Sequence, residues 1–234
     1  MRRAIVLAGG LGTRLRPAVG DLPKPLVDVG GEPLVAHQLR RLAAAGVPDI
    51  VIAAGFGAQQ VQDELGDGSR WDVRLTYSRE QQPLGTGGAL ALAARAAVAP
   101  GDTVVVVNGD LLSAHDLAAQ IDAFERSGAD VSIHVREVDD ARPYGVVSLD
   151  DSGTRIRGFR EKPRIAAPGL VNAGTYVMRG AVLLDLPDTV PLSLEVDVFP
   201  GLAADSDVRA HRDDAPFLDV GTPDALERAR QAWR

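Results

Sequence analysis

The sequence predicts an α/β fold built on a doubly wound, mostly parallel mixed sheet. Over the first 128 residues, short apolar runs alternate with helical stretches rich in alanine and leucine, which is typical of strand–helix–strand units. The run at 103–107 is valine after its first residue, as expected of a strand that helices cover on both faces. From residue 130 onward strand patterns follow one another closely, so the second half is expected to add antiparallel strands.

The apolar and turn residues place the elements of the first half. Pro33 begins a helix and Gly46 ends it, and Gly128 ends the last helix of this half. Alanine and leucine keep residues 85–98 helical despite their early glycines. We predict strands at 4–8, 50–54, 73–77 and 103–107, an extended piece at 26–29, and helices at 33–45, 58–65, 85–98 and 115–126.

The second half is predicted to be mixed. Its turn signal is the segment 150–153, Asp-Asp-Ser-Gly, which is typical of a hairpin. Residues 166–169, Ala-Ala-Pro-Gly, are expected to form a mobile loop. We predict strands at 131–135, 146–149, 156–159, 171–178, 208–210 and 217–220, and helices at 194–202 and 223–233.

Composition favours one domain over residues 1–234 and excludes several classes of protein. Of the 234 residues, 45% are hydrophobic and 24% charged, as in ordinary globular proteins. The net charge of −7 argues against nucleic acid as a partner. Without cysteine there is no disulfide framework or thiolate metal site. No apolar run approaches the roughly 20 residues of a membrane span, so we expect a soluble, cytoplasmic protein.

A glycine-rich loop follows the first predicted strand. Gly9, Gly10 and Gly12 let backbone N–H groups approach an anion, and Arg14 and Lys24 add positive charge. The loop lacks the Gly-Lys-Ser/Thr of a Walker A motif, and position 15 is leucine where a dinucleotide fingerprint needs glycine. The loop is thus expected to bind a polyphosphate, although a loop that only turns the chain is an alternative.

Two residue types are rare enough to single out positions. Among 25 Lys and Arg residues only Lys24 and Lys162 are lysine, and both precede proline. A compact ammonium at a site where a planar guanidinium does not fit would explain their retention. The only asparagines are Asn108 and Asn172. These four positions are candidates for function.

Two aspartates are candidate metal ligands. Asp110 follows the strand at 103–107 and Asp219 lies in the strand at 217–220. Carboxylates at adjacent strand ends beside a phosphate-binding loop suit Mg²⁺, which takes one or two carboxylates plus phosphate oxygens and waters. The alternatives are a turn role for Asp110 and an N-terminal cap of the last helix for Asp219.

A second polar group lies in the later half of the chain. Glu161 and Lys162 follow a predicted strand, where Lys162 suits a second phosphate and Glu161 a sugar hydroxyl. A solvated hairpin end is the alternative for this pair. Glu195 and Asp197 could extend the pocket, or only add charge to the first turn of a helix.

These motifs occur in a set order: residues 7–17 with Pro23-Lys24-Pro25, Asn108-Gly109-Asp110, Tyr144-Gly145, residues 159–163, Asn172-Ala173-Gly174 and residues 219–223. Together they resemble the sugar-1-phosphate nucleotidyltransferases, or nucleotide-sugar pyrophosphorylases, over nearly the whole chain. The resemblance implies a Rossmann-like sheet with a small antiparallel sugar-binding portion. It also implies Mg²⁺-assisted attack of a sugar 1-phosphate on a nucleoside triphosphate, giving an NDP-sugar and pyrophosphate.

The resemblance implies a role for each candidate residue. Residues 1–128 would mainly bind nucleotide, and residues 129–234 would mainly bind sugar and supply the second metal ligand. The implied catalytic residues are Arg14, Lys24 and Lys162, and the metal ligands are Asp110 and Asp219. The implied nucleotide-binding residues are Leu7, Ala8, Gly9, Gly10, Gly12, Thr13, Gln82, Pro83, Gly85 and Thr86. The implied sugar-binding residues are Asn108, Tyr144, Gly145, Glu161, Asn172 and Gly174.

The segment 80–88 is expected to enclose the nucleobase, and it most resembles guanylyltransferases that act on mannose-like sugars. Among these, the short single-domain D-glycero-D-manno-heptose-1-phosphate guanylyltransferases resemble this chain in length. GTP with that heptose 1-phosphate is therefore the expected substrate pair, and mannose 1-phosphate is an alternative. Uridylyl- or thymidylyltransferases that act on glucose, N-acetylglucosamine or N-acetylmuramic acid 1-phosphates remain open. So does a silent nucleotide-sugar sensor, although the implied phosphate and metal ligands are all present. Transfer to a non-sugar acceptor is disfavoured by residues 161–163 and 172–174. The sequence leaves the oligomeric state open, and a homo-oligomer is one possibility.

Overall fold

The structure is a computed structural model that describes residues 1–233. Its strands are β1 (Arg2–Ala8), β2 (Asp28–Val29), β3 (Glu32–Pro33), β4 (Asp49–Ala54), β5 (Arg74–Arg79), β6 (Thr103–Asn108), β7 (Leu111–Ser113), β8 (Val131–Val138), β9 (Gly145–Leu149), β10 (Ile156–Glu161), β11 (Gly169–Arg179), β12 (Val208–Arg212) and β13 (Phe217–Asp219). Its α-helices are α1 (Arg16–Val19), α2 (Leu34–Ala44), α3 (Ala58–Leu65), α4 (Gly85–Ala97), α5 (Leu117–Ser127), α6 (Gly180–Leu184), α7 (Phe199–Asp205) and α8 (Pro223–Ala232).

The centre of the main sheet is parallel. β1 lies between β4 and β6, and β5 extends the sheet beyond β4, with all three pairs parallel. β1 is therefore a central strand, and Ile5 and Val6, whose side chains point to opposite faces of the sheet, are both fully buried. The predicted doubly wound α/β sheet is confirmed.

The remaining strands of the main sheet form its mixed half. β11 runs antiparallel to β6, and it also pairs with β8 and β9. β12 then adds to β8 in the parallel sense, and β10 pairs antiparallel with β9. Because β6 and β8 both run antiparallel to β11, their carboxyl ends lie at the same edge of the sheet. That edge also carries the loop after β1.

Apolar side chains fill both faces of the sheet. One cluster joins α4, α6 and α7 to alternate residues of β1, β6, β8 and β11, and it includes Tyr176 and Phe199. A second cluster packs α2, α3 and α5 against the opposite face. A third, smaller cluster joins Leu15, Leu112 and α8. Within residues 1–233, no helix has the length and apolar character needed to cross a membrane.

Several predicted elements have other bounds in the structure, such as β8 and β12, which extend past their predicted ends, and three differ for a local reason. The predicted helix 194–202 is a π-helix, Leu194–Val198, followed by α7. The side chain of Ser193 caps the π-helix, and Pro200 lacks the N–H that would continue α-helical hydrogen bonding across the junction. The extended piece at 26–29 begins as a 3₁₀ turn, Lys24–Leu26. The helix predicted from 115 starts at Leu117, since the carboxylate of Asp116 accepts a hydrogen bond from the N–H of Ala119.

A polar cluster lies between α2, α5, β8 and β12. The rings of His115 and His134 stack with centroids 3.7 Å apart, and His211 lies 6.2 Å from His115. Burial lowers the pKa of His115 to about 2, helped by the positive charge of Arg41, and burial lowers that of His134 to about 4. Both imidazoles are therefore neutral at pH 7.

Candidate active site

The loop after β1 forms one wall of a cavity of about 300 Å³. The cavity opens at the carboxyl ends of the parallel strands, where doubly wound sheets bind ligands. It is lined by Leu7, Gly9, Gly10, Leu11, Glu80, Pro83, Gly85, Thr86, Ala89, Asn108 and Asp110. Seven of the residues predicted to bind nucleotide or sugar and one predicted metal ligand thus meet in one place.

The remaining predicted nucleotide-binding residues lie outside this cavity lining. Ala8 is buried at the end of β1. Thr13 and Gln82 are exposed, and Gly12 has a left-handed backbone (φ 59°) that turns the chain toward Lys24. The structure alone gives Thr13 and Gln82 no contact that would bind a nucleotide.

Backbone contacts bring Asp110 and Asp219 together. The N–H of Gly109 donates to the carbonyl of Leu7 at 2.9 Å, so the chain after β6 crosses the end of β1. The N–H of Val220 donates to the carbonyl of Asp110 at 2.9 Å. Asp219 is the last residue of β13, so it ends a strand as predicted, and β13 pairs with β7 in a two-stranded sheet separate from the main one. The cap of α8 is Thr222, so the alternative role for Asp219 is wrong.

Three cations surround the two carboxylates. Nζ of Lys24 lies 2.5 Å from Oδ2 of Asp110 and 3.7 Å from Oδ1 of Asp219. The guanidinium of Arg14 lies near Gly221, two residues after Asp219, since a Cβ at Gly221 would be 3.1 Å from it. Desolvation and repulsion by Asp110 raise the pKa of Asp219, against the attraction of Lys24, Arg14 and Lys162. Negative charge at Asp219 is therefore costly until a further cation arrives.

The two carboxylates fit a divalent cation. Both side chains are more than a third exposed, so waters and substrate oxygens can reach them. The ammonium of Lys24 already lies between them, which shows that this position attracts positive charge. Within residues 1–233 no group of three His, Cys, Asp or Glu side chains forms a metal cage. A set of two carboxylates matches Mg²⁺ bound together with phosphate oxygens.

Lys162 lies at the start of an exposed loop. Its backbone is left-handed (φ 41°), which is unusual for a residue with a side chain, and its N–H donates to the carbonyl of Tyr144. Its side chain is 64% exposed and its Nζ lies 3.0 Å from Oε1 of Glu161. Gly145 leaves room for that carboxylate, since a Cβ there would lie 2.8 Å from Oε2 of Glu161. Tyr144, Gly145, Glu161 and Lys162 are therefore neighbours.

Asn172 is held by contacts that the sequence did not predict. Its amide Nδ2 donates to the hydroxyl of Tyr176 at 2.9 Å, and its Oδ1 accepts from the N–H of Gly174 at 3.0 Å. Gly174 has a left-handed backbone (φ 68°), and a Cβ there would lie 3.0 Å from Nδ2 of Asn108. Asn108, Asn172 and Gly174 thus lie together beside the fully buried Tyr176.

Tyr144 faces a second groove, of about 740 Å³. The ring of Tyr144 packs 5.2 Å from that of Phe217, and the guanidinium of Arg136 lies over the ring of Phe217. Burial, and then the charge of Asp219, raise the pKa of Tyr144. Tyr144 thus lines this groove and packs against Phe217, two residues before Asp219. Phe217 was not predicted as a site residue, although it precedes Asp219 by two positions.

Glu80 is the main residue that the sequence did not single out. It directly follows β5, and its Oε2 accepts the N–H of Leu84 at 2.9 Å. Its Oε1 lies against Gly9 and Gly55, where any Cβ would collide with it. The signal available in the sequence was an acidic residue at a strand end beside the glycine-rich segment. The cavity lining therefore includes a carboxylate held in place by the backbone.

Similar proteins are known over nearly the whole length of the chain. The family model described as Nucleotidyl transferase matches residues 3–234. A probable mannose-1-phosphate guanylyltransferase 1 of Oryza sativa subsp. japonica is 37% identical over 94% of this chain and 62% of its own length. A mannose-1-phosphate guanylyltransferase of Mycobacterium tuberculosis is 37% identical over 96% of this chain and 62% of its own length. The chain thus spans about 62% of the length of these relatives.

Solved structures share the fold over the whole chain. HddC from Yersinia pseudotuberculosis, complexed with GMP-PN, is 30% identical with a TM-score of 0.83, and the match covers 100% of both chains. A putative glucose-1-phosphate thymidylyltransferase from Bacillus anthracis is 25% identical with a TM-score of 0.89, covering 99% of this chain and 94% of that one. The predicted fold is confirmed by both.

Proposed function

Because the chain belongs to the nucleotidyl transferase family, we propose that it is a sugar-1-phosphate guanylyltransferase. The reaction would join GTP and a sugar 1-phosphate to give a GDP-sugar and pyrophosphate. The observation that carries this proposal is the cluster of Lys24, Asp110 and Asp219 beside the glycine-rich cavity. It combines a cation for phosphate with two carboxylates for a metal, as phosphoryl-group chemistry requires. The division of the chain into a nucleotide half and a sugar half is part of the proposal.

The chain's own residues position the reactants. The N–H groups of the loop at Gly9 and Gly10 face the triphosphate, and Arg14 and Lys24 neutralise the charge of the leaving pyrophosphate. Lys162, on its exposed loop, holds the phosphate of the sugar for in-line attack at the α-phosphorus. A sugar phosphate is largely dianionic at pH 7, since its second pKa is about 6. No side chain is therefore needed as a general base.

Asp110 and Asp219 would hold Mg²⁺. When bound, the ion neutralises charge that develops on the transferred phosphate. The two carboxylates also need that neutralisation, because desolvation and then repulsion by Asp110 raise the pKa of Asp219.

The carboxylate of Glu80 supports guanine as the base. Guanine presents two adjacent donors, N1–H and the N2 amino group, which pair with the two oxygens of a carboxylate. Uracil and thymine present one N–H between two carbonyl oxygens, which a carboxylate would repel. Glu80 is fixed by Gly9, Gly55 and Leu84 before any ligand binds. The guanylyltransferase names of the relatives and the GMP-PN complex of HddC are consistent with this choice.

The sugar is proposed to be mannose-like. The mannose 1-phosphate of the relatives' names and the D-glycero-D-manno-heptose 1-phosphate suggested by the sequence share the same ring configuration. Either sugar would meet Glu161, Asn172 and the backbone at Gly145 and Gly174. We take the heptose as the first sugar to test, with the mannose 1-phosphate of the relatives' names as the alternative. A cytoplasmic location, where GTP is available, completes the proposal.

A pyrophosphate-release assay tests the proposal. Purified protein with Mg²⁺ would be given GTP, UTP, dTTP, CTP or ATP against heptose and mannose 1-phosphates. We expect turnover with GTP, and its loss when EDTA removes the metal. Turnover with UTP or dTTP alone would contradict the base assignment. No turnover with retained nucleotide-sugar binding would favour a silent sensor.

A further inference from the structure

The carboxylate of Glu195 links the nucleotide half of the site to the sugar half. It lies on the π-helix Leu194–Val198, and π-turns are often found at functional sites. Its Oε2 accepts hydrogen bonds from the hydroxyls of Thr86 and Ser193, both at 3.0 Å. The other oxygen, Oε1, accepts no hydrogen bond from residues 1–233. Glu195 is therefore fixed in place with one acceptor oxygen left available.

The backbone around Glu195 is also fixed. The N–H of Gly87 donates to the carbonyl of Leu192 at 2.8 Å, and the N–H of Leu194 donates to Oγ1 of Thr86 at 2.9 Å. A Cβ at Gly85 would collide with the carbonyl of Leu192. The start of α4, which lines the nucleotide cavity, is therefore clamped to the segment that carries Glu195.

Glu195 also acts on the sugar half. Tyr176 is fully buried, and its hydroxyl accepts the hydrogen bond from Asn172. After burial itself, the charge of Glu195 contributes most to raising the pKa of Tyr176, ahead of Glu161 and Asp110. The ring of Tyr176 also packs 4.9 Å from that of Phe199, which directly follows the π-helix that carries Glu195.

We propose that Glu195 is a sugar-binding residue whose Oε1 accepts a hydrogen bond from a ring hydroxyl of the sugar 1-phosphate. The inference rests on the proposed function and adds a second carboxylate to Glu161. An ionised carboxylate only accepts hydrogen bonds, so it selects hydroxyl donors. Hydrogen bonds to charged groups are also stronger than neutral ones. The ligand class is a polyhydroxylated sugar.

A purely structural role would predict different behaviour. The amide oxygen of a glutamine can still accept from Thr86 and Ser193, so Glu195→Gln keeps the clamp but loses the charge. Asp197 on the same turn provides the matched control, since its Oδ2 accepts the N–H of Ser193 at 2.7 Å and its side chain is exposed. Asp197→Asn therefore disturbs the turn without reaching the sugar.

The experiment compares wild type, Glu195→Gln and Asp197→Asn by steady-state kinetics. The nucleotide and the sugar 1-phosphate are whichever pair wild type uses best, so the test does not depend on GTP. We expect Glu195→Gln to lower kcat/KM for the sugar 1-phosphate on the order of 10-fold or more, with KM for the nucleotide nearly unchanged. Monodeoxy sugar 1-phosphates provide the second readout. With wild type, kcat/KM for one of these deoxy sugars should be lower than that for the parent sugar by a similar factor. With Glu195→Gln, removing the same hydroxyl should lower kcat/KM little further.

Unchanged sugar kinetics in Glu195→Gln, or equal losses in the two variants, would overturn the proposal. Thermal unfolding of each variant shows whether a loss comes from misfolding, and Glu195→Asp then replaces a misfolded glutamine variant, with the same expected loss for the sugar. If wild type turns over no pair, the proposed function fails separately. Calorimetric binding of GDP-mannose, UDP-glucose and UDP-N-acetylglucosamine to wild type and Glu195→Gln then tests Glu195 alone, with weaker binding expected in the variant and equal binding overturning the role.

Discussion

Nζ of Lys24 lies 2.5 Å from Oδ2 of Asp110, and the side chain of Lys24 is only 10% exposed. This contact joins the segment after the glycine-rich loop to the segment after β6, 86 residues later. It also places a cation where the proposed Mg²⁺ would share the carboxylates with phosphate oxygens.

Neutralising Asp219 should trade activity against stability. Its pKa is raised, so its charged form is destabilised in the folded protein. We expect Asp219→Asn to lower kcat on the order of 10²-fold or more, while the Tm stays equal or rises. The control is Asp151→Asn, in an exposed hairpin turn. An Asp219→Asn variant with normal Mg²⁺-dependent turnover would remove Asp219 from the metal site.

Lys162→Arg should reduce turnover although the charge is kept. The left-handed backbone at Lys162 fixes where its side chain starts, and a planar guanidinium differs from an ammonium in shape and donor geometry. We expect kcat to fall on the order of 10²-fold with little change in KM for the nucleotide. Arg164→Lys, on the same exposed loop, is the control. Near-normal rates in Lys162→Arg would contradict the argument from the two lone lysines.

Glu80→Gln should weaken discrimination between bases. The amide loses one acceptor of the pair that guanine needs and gains a donor that can meet a carbonyl of uracil or thymine. We expect kcat/KM for GTP to fall on the order of 10²-fold, and that for UTP or dTTP to fall much less or to rise. Gln81 is the exposed neighbour of Glu80, so Gln81→Ala is the control. Parallel losses for all nucleotides would show that Glu80 only supports the loop.

Two glycines of the site should respond differently to alanine. A Cβ at Gly109 would lie 2.9 Å from the carbonyl of Leu7, whereas a Cβ at Gly10 meets no atom within 4 Å. Gly109→Ala should lower the free energy of unfolding by about 1–3 kcal/mol. Gly10→Ala should leave stability unchanged but raise KM for the nucleotide, because the methyl group would meet the phosphates. Urea unfolding and kinetics separate the two effects, and unaltered kinetics in Gly10→Ala would argue against the loop as a phosphate site.

The buried histidines should make stability fall in mild acid. Unfolded histidines titrate near pH 6.5, but the folded pKa of His134 is about 4 and that of His115 about 2. Below pH 6.5 the unfolded chain binds protons that the folded chain does not, so stability falls as the pH drops. Between pH 7 and pH 5 we expect a loss on the order of 2 kcal/mol for each imidazole. Urea unfolding across this range measures it, and His134→Gln should show a shallower slope. An identical slope would exclude His134 as a cause.

The sequence predicted what local patterns encode. The strand at β1 and the glycine loop follow from a short apolar run and missing Cβ atoms, and the same reasoning located α3 to the residue. The strand β7 was not predicted, since three residues form a strand only by pairing with β13, about 100 residues later. The same limit applies to the stacked His115 and His134, which share no spacing, and to Tyr176, whose contact with Asn172 depends on a bulge in β11.

Part of the site was also beyond sequence reasoning. Asp110 and Asp219 could be named as a pair, but their approach depends on the hydrogen bond between Val220 and Asp110. The segment 80–88 was predicted to enclose the nucleobase, but Glu80 was not singled out within it, because its position depends on Gly9 and Gly55, which follow β1 and β4. Such long-range contacts need the fold.

The most direct test of the account is a competition in one vessel. Wild type with Mg²⁺ would receive equal concentrations of the common nucleoside triphosphates and of heptose, mannose, glucose, N-acetylglucosamine and N-acetylmuramic acid 1-phosphates, and mass spectrometry would identify the nucleotide sugars formed. The account predicts GDP-heptose as the main product, with GDP-mannose second. UDP- or dTDP-linked gluco-sugars as main products would contradict it.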